Sequence, residues 1–71
     1  MIIADRLRMA RMGRGLSQEA LAEKSGVSQN TIYSYETGIR LPGAKILIAI
    51  ADVLEVSLDW LCGREGRNYD H

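Results

Sequence analysis

The sequence predicts an all-α protein of five short helices in one compact domain. Apolar residues return every three or four positions along most of the 71-residue chain, which is the spacing of helices that face a core. The strict apolar–polar alternation that is typical of strands is absent. A chain of this length can bury one core, and it contains no repeat or low-complexity stretch, so we expect a single domain.

Serine residues indicate where three of the helices begin. Ser17, Ser28 and Ser57 each follow an apolar residue, and a second apolar residue comes four positions after each serine. This pattern is typical of an N-cap serine with a hydrophobic staple, in which the serine hydroxyl accepts a hydrogen bond from the first turn. It predicts the second, third and fifth helices at about 18–24, 29–36 and 58–62.

Glycine and proline indicate the remaining boundaries. The first helix is expected at about 4–12, with Gly13 placed to end it, and the fourth at about 44–55, after Pro42. Other glycines follow the second, third and fifth helices, where a left-handed residue commonly ends a helix. They are Gly26, Gly38 and Gly63. We therefore expect a domain over residues 1–63 and a polar, flexible tail over residues 64–71.

The composition excludes several classes of protein. Hydrophobic residues make up 46% of the chain and charged residues 25%, which is typical of a globular protein and not of a disordered one. Cys62 is the only cysteine and His71 the only histidine, so we expect no disulfide, no metal site and no cofactor. No nucleophile–base pair or cleft carboxylate pair indicates an enzyme or a small-molecule substrate. Without a secretory leader or a membrane span, a cytoplasmic location is expected.

The charges are balanced overall but unevenly distributed. The chain has nine basic and nine acidic residues. Residues 1–45 contain seven basic and four acidic residues, whereas residues 46–71 contain two basic and five acidic ones. The sequence is thus polarised, with one part suited to face phosphate and the other to face water or protein.

A tight helical corner is predicted where the second helix meets the third. Ala22 is small enough for two helices to cross closely, and Gly26 permits the turn between them. Ile32 and Tyr35 then anchor the third helix in the core. The opposite face of the third helix remains exposed. It carries Gln29, Asn30, Tyr33 and Ser34.

Residues 16–38, with the sequence LSQEALAEKSGVSQNTIYSYETG, resemble the Cro-like and lambda-repressor-like helix-turn-helix (XRE-type) family of transcription regulators. Leu41-Pro42 and residues 50–61 (IADVLEVSLDWL) extend this resemblance, which covers roughly residues 3–63. It implies a lambda-repressor-like domain whose second and third helices form the helix-turn-helix, in a bacterial or phage-infected cell. It further implies a repressor that binds a pseudo-palindromic operator in double-stranded DNA as a homodimer, through the major groove.

The resemblance also implies roles for individual residues. Arg11 and Glu36 match a partly buried ion pair that orients the reading helix. The residues implied in base reading are Gln29, Asn30, Tyr33 and Ser34. Those implied in phosphate binding are Ser17, Gln18, Ser28, Thr37, Arg40 and Arg14. The chemistry of amides agrees with base reading, because glutamine and asparagine can form bidentate hydrogen bonds with adenine. The alternative for these polar residues is the solvated face of an ordinary helix.

The fourth helix carries a second apolar stripe beside the one that should face the core. Ile46, Ala49 and Val53 form this stripe, and with Trp60 they are predicted to make a homodimer contact; the alternative is a wider core. A different functional hypothesis is an antitoxin or anti-repressor that binds another protein, such as a toxin or effector, and that also binds DNA to regulate its own gene. No membrane partner is expected.

Overall fold

The computed structural model describes residues 2–64; Met1 and residues 65–71, which include most of the predicted tail, lie outside the described residues. The described residues form five α-helices and no strand. The helices are α1 (Ile2–Gly13), α2 (Gln18–Ser25), α3 (Gln29–Glu36), α4 (Ala44–Leu54) and α5 (Leu58–Leu61). The predicted all-α architecture is confirmed, with every helix boundary within two residues of its expected place.

The three serine caps form as predicted. Their hydroxyl oxygens accept hydrogen bonds of 3.0 to 3.1 Å from N–H groups three residues later, those of Ala20 for Ser17, Thr31 for Ser28 and Trp60 for Ser57. The apolar residues before the serines, Leu16, Val27 and Val56, pack against the core. Each cap therefore sets both the first residue of its helix and the direction from which the chain enters it.

Glycine makes the turn of the helix-turn-helix. Gly26 follows α2 with a φ of 77°, and its N–H group bonds to carbonyl oxygens of the last turn. A left-handed φ of this kind is accessible to glycine without strain. The left-handed turn after α1 lies two residues later than predicted. Gly13 is still helical, and Gly15, with a φ of 70°, makes the turn.

One core joins all five helices. Its largest fully buried side chains are Leu7, Leu21, Ile32, Ile50, Leu54 and Leu61. Ile32 and Tyr35 are buried on the inner side of α3, as predicted. The core therefore fixes the inner face of α3, while the outer face is exposed and can contact another molecule. None of the described helices combines the length and apolarity needed to cross a membrane.

The residues of the predicted dimer stripe on α4 are partly covered by the core of the same chain. Ile46 and Val53 are partly buried and pack against the core, as does Trp60, and Ala49 is also partly buried. α4 contacts both α2 and α5, so two of its faces are covered within the same chain. This partial burial within one chain agrees with the alternative of a wider core, and the dimer contact of the stripe stays a prediction. The neighbouring Ile48 is exposed.

Candidate nucleic-acid interface

The amino-terminal part of α3 presents a compact polar surface. Gln29, Asn30 and Tyr33 are exposed, and together with Gln18 from the start of α2 they line an open cleft of about 390 Å³. Two helix starts thus bring together three side-chain amides and one aromatic ring. Amides carry both donors and acceptors, so this surface can form paired hydrogen bonds with a planar polar edge.

Ser34 does not belong to this surface. The residue is only 9% exposed, and its carbonyl oxygen accepts hydrogen bonds from the N–H groups of Ile39 and Arg40 in the following loop. The loop therefore folds back beside Ser34. Ser34 is thus buried beside this loop and does not line the cleft, and base reading by Ser34 stays a prediction.

The predicted ion pair between Arg11 and Glu36 is present. Arg11 donates from Nε to Glu36 Oε2 at 2.6 Å and from Nη2 to Glu36 Oε1 at 3.1 Å. Its Nη1 donates to the carbonyl oxygen of Leu16 at 2.7 Å. The side chains of Arg11 and Glu36 are 12% and 3% exposed, so water screens the pair little. α1, the loop before α2 and the end of α3 are tied together at one point.

Gln18 joins the same network. Its Nε2 donates to Glu36 Oε1 at 3.2 Å, across a separation of 18 residues in the chain. Gln18 thus braces the end of α3 through a carboxylate that the sequence did not connect with it. Helical spacing could not show this bond, because the two residues lie on different helices whose crossing is set by the core.

The other residues implied in phosphate binding differ in the contacts that their side chains make. Ser17, Ser28, Thr37 and Arg40 are exposed, the first two as helix caps. The Thr37 hydroxyl lies within 2.9 Å of the Tyr33 carbonyl oxygen, to which it donates. The Thr37 proton is thus already used within the helix, whereas the exposed guanidinium of Arg40 suits a contact with phosphate oxygens.

Arg14 contacts the end of α4. Its Nε donates to the carbonyl oxygen of Leu54 at 3.1 Å, and its Nη2 lies 2.9 Å from Glu55 Oε1. These are the last residues of α4 and its cap, where unpaired carbonyl oxygens favour a cation. Arg14 therefore caps the end of α4, and because its side chain is 43% exposed, phosphate binding by Arg14 stays a prediction.

The chain is similar in sequence to known regulators. The family model described as "Helix-turn-helix" matches residues 7–61. The transcriptional repressor RstR of the cryptic phage CTXphi, from Vibrio cholerae, is 41% identical over 64 residues, which are 90% of this chain and 57% of RstR. This chain spans 57% of RstR and 52% of the Bacillus subtilis regulator YqaE, about half the length of these curated relatives.

Solved structures share the fold. The P22 c2 repressor in complex with a synthetic operator superposes with a TM-score of 0.82 at 30% identity, over 86% of this chain and 92% of the other. SinR, a master regulator of biofilm formation, solved in complex with DNA, gives 0.80 at 33% identity over 84% and 97%. Members of this family are DNA-binding transcription regulators and not enzymes. With both sequence and fold in agreement, this chain belongs to the helix-turn-helix family, in its lambda-repressor-like form.

Proposed function

We propose that this chain is a sequence-specific double-stranded DNA-binding regulator, a repressor, that reads the major groove with the start of α3. The observation that carries the proposal is the exposure of Gln29 and Asn30, side by side, on a helix whose opposite face is fixed in the core by Ile32 and Tyr35. A rigid helix with outward amides has the form needed for direct readout. The name of RstR, a transcriptional repressor, supports the same role.

The dimensions and chemistry of α3 suit a B-DNA groove. An α-helix with its side chains is about 10–12 Å across and the major groove is about 12 Å wide, so the eight-residue α3 can enter the groove. Gln29 and Asn30 can each pair with adenine N6 and N7, and each such pair contributes about 1–3 kcal/mol of discrimination. Tyr33, which is 49% exposed, can place its ring against a thymine methyl group or a sugar.

Phosphate contacts from neighbouring groups would set the register of α3 in the groove. Ser17 and Ser28 lie at the starts of α2 and α3, where unpaired N–H groups favour anions. Their hydroxyl oxygens already accept a cap bond. The Ser17 hydroxyl still has a proton to donate, whereas the Ser28 hydroxyl shares a 2.8 Å hydrogen bond with the Thr31 hydroxyl. Thr37 and Arg40 follow α3 directly and are exposed. Contacts of this kind position the protein without reading sequence.

Homodimerisation on a pseudo-palindromic site is part of the proposal. Two copies would place their α3 helices in successive major grooves, about 34 Å apart. The exposed large apolar side chains on α4 and α5 are Ile48 and Leu58, which lie close to the predicted stripe in sequence and are available for such a contact. We expect an Ile48→Glu, Leu58→Glu variant to sediment as a monomer under conditions where the parent chain is a dimer, with α-helical content unchanged.

A selection from a random pool of duplexes tests the function. We expect the chain to enrich an inverted repeat, and a Gln29→Ala, Asn30→Ala variant to lose that enrichment while it still binds DNA weakly. Enrichment of no sequence, or of the same sequences by both proteins, would contradict the proposal. The first of these results, together with retention of a toxin or effector protein by the chain, would favour the antitoxin alternative.

A further inference from the structure

We propose that the outer face of α1 binds the same face of a second copy of this chain, in antiparallel orientation, when the two copies are bound to neighbouring operators. The outer face is defined by Ile2, Asp5, Met9 and Met12, with Arg8 at its edge. This inference rests on the proposed function and goes beyond it, because no residue of α1 lines the cleft at the start of α3. The outer face is also distinct from the side chains on α4 and α5 that are proposed to pair two copies on one operator.

Three large apolar side chains share the outer face of α1. Ile2, Met9 and Met12 are between 48% and 60% exposed. With its other side, where Ala4 and Leu7 are buried, α1 packs against α3 and α5. The positions 2, 5, 9 and 12 follow one another at intervals of three and four residues, which is the spacing of the contact seam in paired helices. A single exposed apolar residue is ordinary on a protein surface, but three that share one helix face indicate a contact.

Two charged residues make the outer face complementary to itself. Asp5 and Arg8 are exposed, and no ion pair or side-chain hydrogen bond within residues 2–64 involves them. A two-fold contact brings a surface against a copy of itself, so every attractive pair occurs twice. In an antiparallel pair of α1 helices, Asp5 of each copy meets Arg8 of the other. Ile2 of each copy then lies beside Met12 of the other.

The antiparallel direction follows from both the charges and the apolar residues. A parallel pair would place Asp5 against Asp5 of the second copy, and the two carboxylates would repel each other. The antiparallel contacts of Asp5 with Arg8 and of Ile2 with Met12 need registers that differ by one residue, about 1.5 Å along the helix axis. The flexible side chains of arginine and methionine accommodate such an offset, so both contacts form in one arrangement.

The small size of the outer face limits where the contact can form. A helix of 12 residues is about 18 Å long and about 10 Å across, so one face of α1 offers about 300 Å² for burial. A stable interface buries about 800 Å² on each partner, so this contact is too small to hold two free chains together. Binding to neighbouring operators raises the effective concentration of the two copies to about the millimolar range. A weak contact suffices there, and it makes the binding of the two copies cooperative.

The test measures cooperativity on a duplex that carries two selected operators. For the parent chain, we expect occupancy of one operator to raise the affinity for the other about fivefold, which is the lower end of typical couplings between sites. The gain should be largest when whole helical turns of about 10.5 base pairs separate the operators, because the bound copies then lie on the same side of the duplex. Affinity for a duplex with one operator serves as the reference.

Removal of the apolar contact should abolish this gain. The variant Met9→Gln, Met12→Gln keeps the length of both side chains and the charge of the chain, and glutamine favours a helix as methionine does. We expect it to bind the two operators independently. Its affinity for a single operator should match that of the parent chain, because neither methionine lines the cleft.

Charge exchange tests the antiparallel pairing itself. Asp5→Arg and Arg8→Asp should each remove the cooperativity, because the pairs between the two copies then join like charges. The double variant Asp5→Arg, Arg8→Asp has the net charge of the parent chain and should restore the cooperativity, because both pairs are attractive again. Asp52→Arg is the matched control: it changes the charge of the chain as Asp5→Arg does, but at an exposed position on α4, and it should remain cooperative.

Three results would overturn the inference. Independent binding by the parent chain at every spacing would leave the outer face to a partner of another kind. A double exchange variant without cooperativity would contradict the pairing of Asp5 with Arg8. A lower unfolding midpoint of Met9→Gln, Met12→Gln without DNA would assign the two methionines to contacts within their own chain. A parent chain without any preferred duplex would contradict the proposed function itself, and is recognised before two operators are joined.

Discussion

Removal of Arg11 should cost this small domain a large part of its stability. In Arg11→Met, Glu36 keeps a buried carboxylate, 3% exposed, and loses both hydrogen bonds from the guanidinium. Loss of one partner from a buried pair costs about 3–5 kcal/mol. The Leu16 carbonyl oxygen also loses its bond to Nη1, worth about 1 kcal/mol. Domains of this size have unfolding free energies of about 4–10 kcal/mol, so the variant should lose about half of its stability or more at 25 °C.

The double variant Arg11→Met, Glu36→Met separates the stranded charge from the lost packing. With no carboxylate left to bury, we expect it to recover about 2–3 kcal/mol relative to Arg11→Met, because buried ion pairs are often replaced by apolar residues at little cost. Urea unfolding followed by circular dichroism measures both free energies. A loss below about 1 kcal/mol in Arg11→Met, or a double variant less stable than the single one, would refute the reasoning.

Three further variants test local features of the fold by urea or thermal unfolding. Ser25→Ala should stabilise the chain by about 1 kcal/mol, because the buried Ser25 hydroxyl has no partner among residues 2–64; a loss of stability would reveal a bond that the structure does not contain. Glu55→Gly should raise the free energy of unfolding by about 0.5–1 kcal/mol, because Glu55 has a strained φ of 57° and its ion pair with Arg14 is exposed. An unchanged unfolding midpoint would mean that this ion pair outweighs the strain. Arg6→Met should lower the free energy of unfolding by about 1–2 kcal/mol and shift the fluorescence of Trp60. The Arg6 guanidinium lies 4.9 Å from the Trp60 ring centroid and donates to the Trp60 carbonyl oxygen at 2.7 Å. Identical emission spectra would contradict this contact.

Local signals made the helix boundaries predictable. An N-cap depends on atoms within one turn, so the hydroxyls of Ser17, Ser28 and Ser57 could be assigned from the sequence, and Gly26 marked the turn for the same reason. The Arg11–Glu36 pair was foreseen through a family resemblance, since no local rule links residues 25 positions apart.

Features that depend on long-range packing were not predictable. Helical spacing placed Ser34 one turn from Asn30 but could not show that residues 39 and 40 fold back against its carbonyl oxygen. Arg14 meets Leu54 across 40 residues of chain, a contact that only the assembled core creates. The width of the buried face on α4 is likewise set by its neighbours α2 and α5, so the sequence left the dimer stripe and the wider core as alternatives.

The discrimination between a selected and a scrambled duplex tests the central claim most directly. Dissociation constants are measured on both for the parent chain, for Gln29→Ala, for Asn30→Ala and for the exposed control Asp52→Ala on α4. The account predicts that each α3 variant loses about 1–3 kcal/mol on the selected duplex and almost nothing on the scrambled one, while the control matches the parent chain. Equal losses on the two duplexes would contradict base reading by α3.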